Sequence, residues 1–249
     1  MTWPEYLSRF HHERAGITET VLRRCVDQRG RTPYDWLGEL TPDGGPVLDL
    51  ACGSAPLWPT LSGHGYLGLD RSAAELAQAA SRGAGPLVRA DAAALPLAGG
   101  TVRLVVCAMA LMLVAPLPHV LAEIARVLAP GGRLVAIVPA TRPLAARDVP
   151  VAAGLLATLG RLPYPSDAPP ADPTGVLAQA GLRLERDQAQ RFSYRLTSRA
   201  EADTLLESLY LPSVSPPRVR AARAYLHTLA RIGASVPVPI RRLLAISPT

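Results

Sequence analysis

The amino-acid sequence predicts an α/β protein built around a parallel sheet. Two patterns carry the prediction. Short apolar runs alternate with segments of helical spacing, the mark of repeated βαβ units. The runs are also apolar at successive positions, as strands covered by helices on both faces require. The chain has 249 residues, 49% of them hydrophobic. That is enough for one large domain or two small ones, and no internal repeat or linker divides it.

Each element has its own justification. Residues 1–45 read as a helical arm without strand alternation. Thr18 is placed to cap a helix whose apolar face is Val21, Leu22, Cys25 and Val26. Thr32-Pro33-Tyr34-Asp35 starts another helix, with a capping Thr, a Pro in the first turn and an acid three residues on. Pro42, Gly44 and Gly45 end the arm. Apolar runs at 47–51, 66–69, 87–90, 102–108 and 133–138 then read as five strands. Ser72-Ala73-Ala74-Glu75 is a capping box opening a helix, and residues 120–128 form another. After Pro139 come a helix at 149–159, a Pro-rich loop at 163–173, a short helix at 175–180 and the start of a strand at 182–185. Helices at 200–209 and 219–232 follow. Residues 236–246 read as a last edge strand, because Pro237 and Pro239 lack the N–H that an interior strand uses.

Composition excludes several classes. The formal charge is +6, but all 26 basic residues are Arg, since the chain has no Lys, and it has no Asn. That bias points to GC-rich coding, with Arg standing where Lys would serve. No dense basic patch with interleaved aromatics marks a nucleic-acid surface. Three Cys without a CxxC exclude a disulfide scaffold and a zinc finger, and no metal site is expected. The opening residues carry charges and a Pro, unlike a signal peptide, and no apolar run reaches the roughly 20 residues that span a bilayer. A cytoplasmic protein without a membrane partner is the expectation; the oligomeric state is open.

The stretch that carries chemistry is Val47-Leu48-Asp49-Leu50-Ala51-Cys52-Gly53-Ser54-Ala55. A strand runs into a tight turn of small residues that leads to a helix, where backbone can approach a ligand closely. Asp70 and Asp91 end the next two strands, at the same edge. Three acids at three strand ends suit a ligand with hydroxyls, amines and positive charge, and suit phosphates badly. A dinucleotide fingerprint needs G-x-G-x-x-G, and the glycines fail here.

This stretch resembles the first-strand motif V-L-D-L-G-C-G-T-G of class I S-adenosylmethionine-dependent methyltransferases, with Ala51 and Ala55 in place of two glycines. Residues 121–134, running Leu-Ala-Glu-Ile-Ala-Arg-Val-Leu-Ala-Pro-Gly-Gly-Arg-Leu, are similar to that family's L-x-E-x-x-R-V-L-x-P-G-G-x-L signature. Four such features in order over residues 45–139 identify a methyltransferase type 11-like domain. The resemblance implies a Rossmann-like, doubly wound sheet of seven strands, mostly parallel with the last antiparallel, and helices on both faces. It implies a methyltransferase domain at 46–249 behind the arm at 1–45, which folds as a lid, and a substrate-facing segment at about 140–235. It implies S-adenosylmethionine as cofactor. Asp70, with Arg71 beside it, would take the ribose hydroxyls, and Asp91 with Ala92 the adenine amino group. Asp49, Ala51, Cys52, Gly53 and the strand end at Cys107 would face the rest of the cofactor.

The acceptor is less legible. After the fourth strand the chain reads Cys107-Ala108-Met109-Ala110-Leu111-Met112, apolar and without the N/D-P-P-Y of nitrogen methylators. Methyl transfer to oxygen or carbon of a small organic molecule is therefore the leading expectation. For a general base His119 ranks first, near the active edge, followed by His11 and His12 on the arm. An RNA methyltransferase is one alternative, permitted by the basic balance. A non-catalytic cofactor-binding partner protein is another, motivated by Ala51 and Ala55.

Overall fold

The computed structural model describes residues 1–41, 44–140 and 145–248. Pro42, one of the residues expected to end the arm, lies outside them. The strands are β1 (Cys25–Val26), β2 (Val47–Leu50), β3 (Tyr66–Asp70), β4 (Leu87–Arg89), β5 (Val102–Ala108), β6 (Leu128–Pro139), β7 (Arg183–Arg195) and β8 (Ser235–Ile246). The helices are α1 (Trp3–Glu13), α2 (Ile17–Leu22), α3 (Pro33–Gly38), α4 (Trp58–Leu61), α5 (Ala73–Ser81), α6 (Leu117–Val127), α7 (Val149–Leu159), α8 (Ala168–Ala171), α9 (Pro173–Gln179), α10 (Arg199–Glu207) and α11 (Pro216–Arg231).

One sheet holds all eight strands in the order β1-β7-β8-β6-β5-β2-β3-β4. The run β4-β3-β2-β5-β6 is parallel, and β8 is antiparallel to both β6 and β7. The expected seven strands are present, with the last one antiparallel. The eighth is the two-residue β1, antiparallel to the far end of β7, with Cys25 opposite Tyr194. The arm is therefore not wholly helical: Cys25 is fully buried, and its backbone finds partners on a sheet edge.

Strand residues alternate between two cores. Leu104 and Val106 of β5 face one side, with Trp36, Leu37, Leu205 and Leu226 from α3, α10 and α11. Val105 and Cys107 face the other, with Leu121, Ile124 and Val127 of α6. Burial on both faces explains the near-continuous apolar runs read in the sequence.

The last strand corrects an expectation. β8 lies inside the sheet, between β6 and β7, not at an edge. Its prolines are tolerated because pairing to β6 begins only at Ile240, opposite Pro139. Pro237 and Pro239 pair on the β7 side alone. The Pro239 carbonyl points towards β6, accepting from Ala140 N at 2.9 Å. The missing Pro239 N–H would point the same way, past the end of β6.

Other boundaries shift for local reasons. Thr18 does not cap α2. Gly16 does, in a left-handed conformation (φ 74°), and Thr18 lies one residue inside the helix. The expected cap at Thr32 is present, with its side chain and Asp35 bonded reciprocally. The Pro-rich segment contains the short α8 and the start of α9, capped by Asp172. The Glu-x-x-Arg signature pins a turn: Glu123 accepts from Leu95 N, and Arg126 donates to the Leu95 and Leu97 carbonyls. No described helix is long and apolar enough to cross a membrane.

Candidate active site

β2 ends at Leu50, and the chain turns back through Ala51, Gly53 and Ala55, at φ 54°, 54° and 57°. Two of these three left-handed positions carry a side chain, at a cost of roughly 1–2 kcal/mol each. The turn is held by Cys52 N donating to the Leu69 carbonyl (3.0 Å) and Ala55 N to the Cys52 carbonyl (2.9 Å). The helix that follows, α4, has only four residues and starts at Trp58. The turn itself lines the cavity, and α4 does not.

β3 brings Asp70 against this turn. Its Oδ2 accepts from Gly53 N at 2.9 Å and its Oδ1 from Ser72 N at 2.8 Å. Burial pushes the Asp70 carboxyl up; these two amides and His11 work against that rise. The neighbouring Gly68 has no room for a side chain, since a Cβ would stand 2.8 Å from Tyr66 Oη and 3.1 Å from Cys52 Sγ. Asp49 is buried beneath the turn and accepts from Tyr66 Oη at 3.0 Å. Burial, with a smaller contribution from Asp70, pushes the Asp49 carboxyl up to about 7.

A cavity of about 300 Å³ opens over these strand ends. Asp49, Ala51, Cys52, Gly53, Asp70 and Arg71 line it, as do Asp91 and Ala92 beyond β4. Asp91 is exposed and accepts from Ala93 N at 2.9 Å. The expected cofactor set therefore converges, with one exception. Cys107 is fully buried in the core behind α6, and Ala108 and Met109 reach the cavity in its place. Met109 also has a left-handed backbone (φ 57°), which turns the chain at the end of β5. Burial pushes the Cys107 thiol up to about 12, so it stays protonated in the core.

The three candidate histidines separate. His119 lies on the exposed side of the first turn of α6 and does not line the cavity. The turn after β5 consumes the residues that would have carried it to the active edge, and α6 presents Leu117, Val120 and Leu121 inward instead. His11 and His12 both line the cavity from α1. His11 Nδ1 stands 2.9 Å from Glu75 Oε1, and its Nε2 is 3.4 Å from Tyr210 Oη.

Sequence reasoning missed the carboxylates that hold the arm. Glu19 of α2 lines the cavity and accepts from Ser54, Arg23 and Arg82. Burial pushes the Glu19 carboxyl up, but those three bonds outweigh it and keep it below its usual range. Glu75 accepts from Gly16 N at 3.0 Å as well as facing His11. The Ser72 hydroxyl does cap α5, but Ser72 N turns to Asp70, which leaves Glu75 free for the arm. The capping-box spacing was the available signal, and it pointed to helix initiation alone. Tyr210, far along the chain, carried no signal.

The chemistry of the wall is consistent. Glu19, Asp49, Asp70, Glu75 and Asp91 face the cavity against Arg71 and Arg89. Such a surface favours a cation bearing hydroxyls and amines. Thr18 Oγ1 is buried at the wall beside the Tyr210 hydroxyl. Leu7, Leu113, Val114 and Tyr210 add an apolar side. Among the described residues, no three His, Cys, Asp or Glu are grouped to hold a metal ion.

Residues 48–136 match the family described as a methyltransferase domain. The chain is 38% identical over 124 residues to demethylmenaquinone methyltransferase of Mycolicibacterium vanbaalenii, covering 49% of this chain and 54% of that one. It is 41% identical over 134 residues to malonyl-[acyl-carrier protein] O-methyltransferase of Alcanivorax borkumensis, covering 50% and 44%. The match thus spans about half the length of these relatives. A solved S-adenosylmethionine-dependent methyltransferase of Thermotoga maritima shares the fold, with a TM-score of 0.57 and 13% identity, over 99% of this chain and 100% of that one.

Proposed function

We propose that this chain, whose residues 48–136 match a methyltransferase domain, binds S-adenosylmethionine in the cavity and transfers its methyl to oxygen or carbon of a small organic molecule. The observation that carries this reading is the convergence of Asp49, Asp70 and Asp91 on one cavity that also has an apolar side.

When bound, S-adenosylmethionine supplies an electrophilic methyl on a positively charged sulfur. The chain's own residues bind, orient and exclude water. Asp70 accepts one backbone amide on each oxygen and keeps lone pairs for two ribose hydroxyls. Asp91 and Ala92 would hold the adenine amino group, and Arg71 would stand by the ribose hydroxyls. The backbone of Ala51, Cys52 and Gly53 would hold the amino-acid end, and Asp49 would supply negative charge to it.

The arm is the lid of this site: Trp3, Pro4, Leu7 and Ser8 of α1 roof the cavity. Pro165 and Tyr210, from the segment at about 140–235, complete the acceptor side. Fixing acceptor and methyl in line supplies roughly 7–11 kcal/mol of the barrier in favourable cases. The two matched relatives act, by name, on a demethylmenaquinone and on malonyl-[acyl-carrier protein]. Their names support a small acceptor, and the apolar wall of Leu7, Leu113 and Val114 supports one with apolar surface.

The test is calorimetric titration with S-adenosylmethionine and, separately, NAD. It is followed by transfer of labelled methyl to a panel of aromatic diols, carboxylic acids and RNA. Saturable binding of the first ligand alone, with label on a diol or acid, is expected. Binding of NAD, or label on RNA only, would overturn the reading.

A further inference from the structure

Glu75 does two things that helix capping does not need. It stands in the first turn of α5 and is only 4% exposed. Its Oε2 accepts from Gly16 N at 3.0 Å, and its Oε1 lies 2.9 Å from His11 Nδ1. Which ring nitrogen of a histidine carries the proton is set by the bond the other makes. A carboxylate oxygen at Nδ1 calls for Nδ1–H, and that leaves the Nε2 lone pair facing only the long contact with Tyr210 Oη.

The rest of the ring's surroundings point Nε2 at the acceptor side. Phe10 meets the His11 ring edge-on, with centroids 5.3 Å apart and planes at 74°. Tyr210 Oη lies 3.4 Å from Nε2, long for a hydrogen bond and readily exchanged for a ligand hydroxyl. Both His11 and Tyr210 line the cavity. Tyr210 packs with Phe10, Leu113 and Tyr164 in an apolar cluster.

We propose that Glu75 is a positioning residue that holds His11 as the Nδ1–H tautomer, and that His11 Nε2 takes the proton of the methyl acceptor. This rests on the methyl-transfer reading of the same cavity. The acceptor's O–H or acidic C–H bond breaks, its proton bonds to Nε2, and its electron pair stays on the acceptor atom. That atom uses the pair to bond the methyl, leaving the pair of the broken bond on the donor's sulfur. The imidazolium keeps its Nδ1–H on Glu75, whose charge balances it, and passes the extra proton to water once the product leaves. The acceptor class follows: a hydroxyl or carbon acid that arrives protonated, not an amine whose lone pair is already free.

Long-range ¹H–¹⁵N NMR of the cofactor-free protein reads the tautomer without any acceptor, with the His11 signals assigned through His11→Gln. The Nδ1–H form should dominate in the wild type. Glu75→Gln should move the population towards Nε2–H, the form that free imidazole prefers, and Glu75→Asp should restore part of it. An Nε2–H ring in the wild type would overturn the proposal. So would a tautomer unchanged in Glu75→Gln, since Glu75 would then serve the arm alone. Calorimetry of the wild type with S-adenosylhomocysteine runs in parallel. Failure of the wild type to bind would sink the methyl-transfer reading while the tautomer result still stood. On any acceptor that the wild type methylates, His11→Gln should lose about 10²-fold or more in kcat.

Discussion

Asp49→Asn should make the cofactor-free protein more stable, and increasingly so as the pH rises. Asp49 is 1% exposed, and its only hydrogen-bond donor among the described residues is Tyr66 Oη. Burial pushes its carboxyl up to about 7, against an ordinary value of 3.8. A raised acid binds its proton more tightly in the folded chain than in the unfolded one. Its contribution to stability is complete below the unfolded value and is lost as the pH climbs to the folded value. Between pH 5 and pH 7 the wild type should lose about 2–3 kcal/mol on this account, at about 1.4 kcal/mol per pH unit.

The amide introduced by Asp49→Asn keeps an oxygen for the Tyr66 hydroxyl and has no charge to strand. The gap between variant and wild type should therefore widen by that amount from pH 5 to pH 7 and stay level above it. In a chain of this size the widening corresponds to about 5–10 °C in Tm. Urea unfolding of both proteins at pH 5, 6, 7 and 8 measures it. Groups that titrate elsewhere cancel in the difference. A gap independent of pH would refute the reasoning, because Asp49 would then be as easily ionised folded as unfolded. The same substitution should weaken S-adenosylmethionine binding at pH 8, since the charge that strains the empty cavity faces a cation in the loaded one.

Three further outcomes follow from the site. Asp70→Ala removes charge-assisted bonds worth about 1.5–3 kcal/mol and should cut cofactor affinity by roughly tenfold to a hundredfold in calorimetry, with the fold intact by circular dichroism. Ala51→Gly relieves a left-handed alanine at φ 54° and should raise stability by about 1 kcal/mol, read by urea unfolding, without loss of cofactor binding. His119→Ala removes an exposed side chain outside the cavity and should leave methyl transfer unchanged on any acceptor; a large loss would return His119 to the site.

The cofactor half of the molecule was legible because its signals are local. Each acid stands at or just beyond a strand end, and each strand is a short apolar run, so Asp49, Asp70 and Asp91 could be placed on one edge without coordinates. The Pro-Gly-Gly segment is likewise local: Gly131 takes φ 71°, and a Cβ on Gly132 would stand 2.8 Å from the Ala129 carbonyl. Where reading failed, the deciding partner was distant. Pro237 and Pro239 argue for an edge, and only the length of β6 shows why an interior strand tolerates them. His119 looked well placed because its distance along the chain from β5 is short, while α6 turns it outward. Glu75 reads as a cap because its true partners, His11 and Gly16, are 64 and 59 residues away.

Those long-range partners give the cavity its electrostatic logic. Of its five carboxylates, Glu19 and Glu75 are engaged by the arm: Glu19 by Arg23 and by Ser54 and Arg82 across the gap, Glu75 by His11 and Gly16. Asp70 is engaged by backbone amides of the turn and of the approach to α5. Asp49 has only a phenol. Asp91 accepts from Ala93 N and is exposed to water, so the negative charge is satisfied by the protein or by solvent everywhere except beneath the turn. Among the described residues Asp49 is the buried carboxylate of this cavity left with a single phenol, and a cation entering there offsets its charge. Binding of S-adenosylmethionine at pH 6 should accordingly expel up to one proton, seen as a dependence of the calorimetric heat on the ionisation enthalpy of the buffer. Heats that are the same in every buffer would mean that Asp49 does not meet the positive charge.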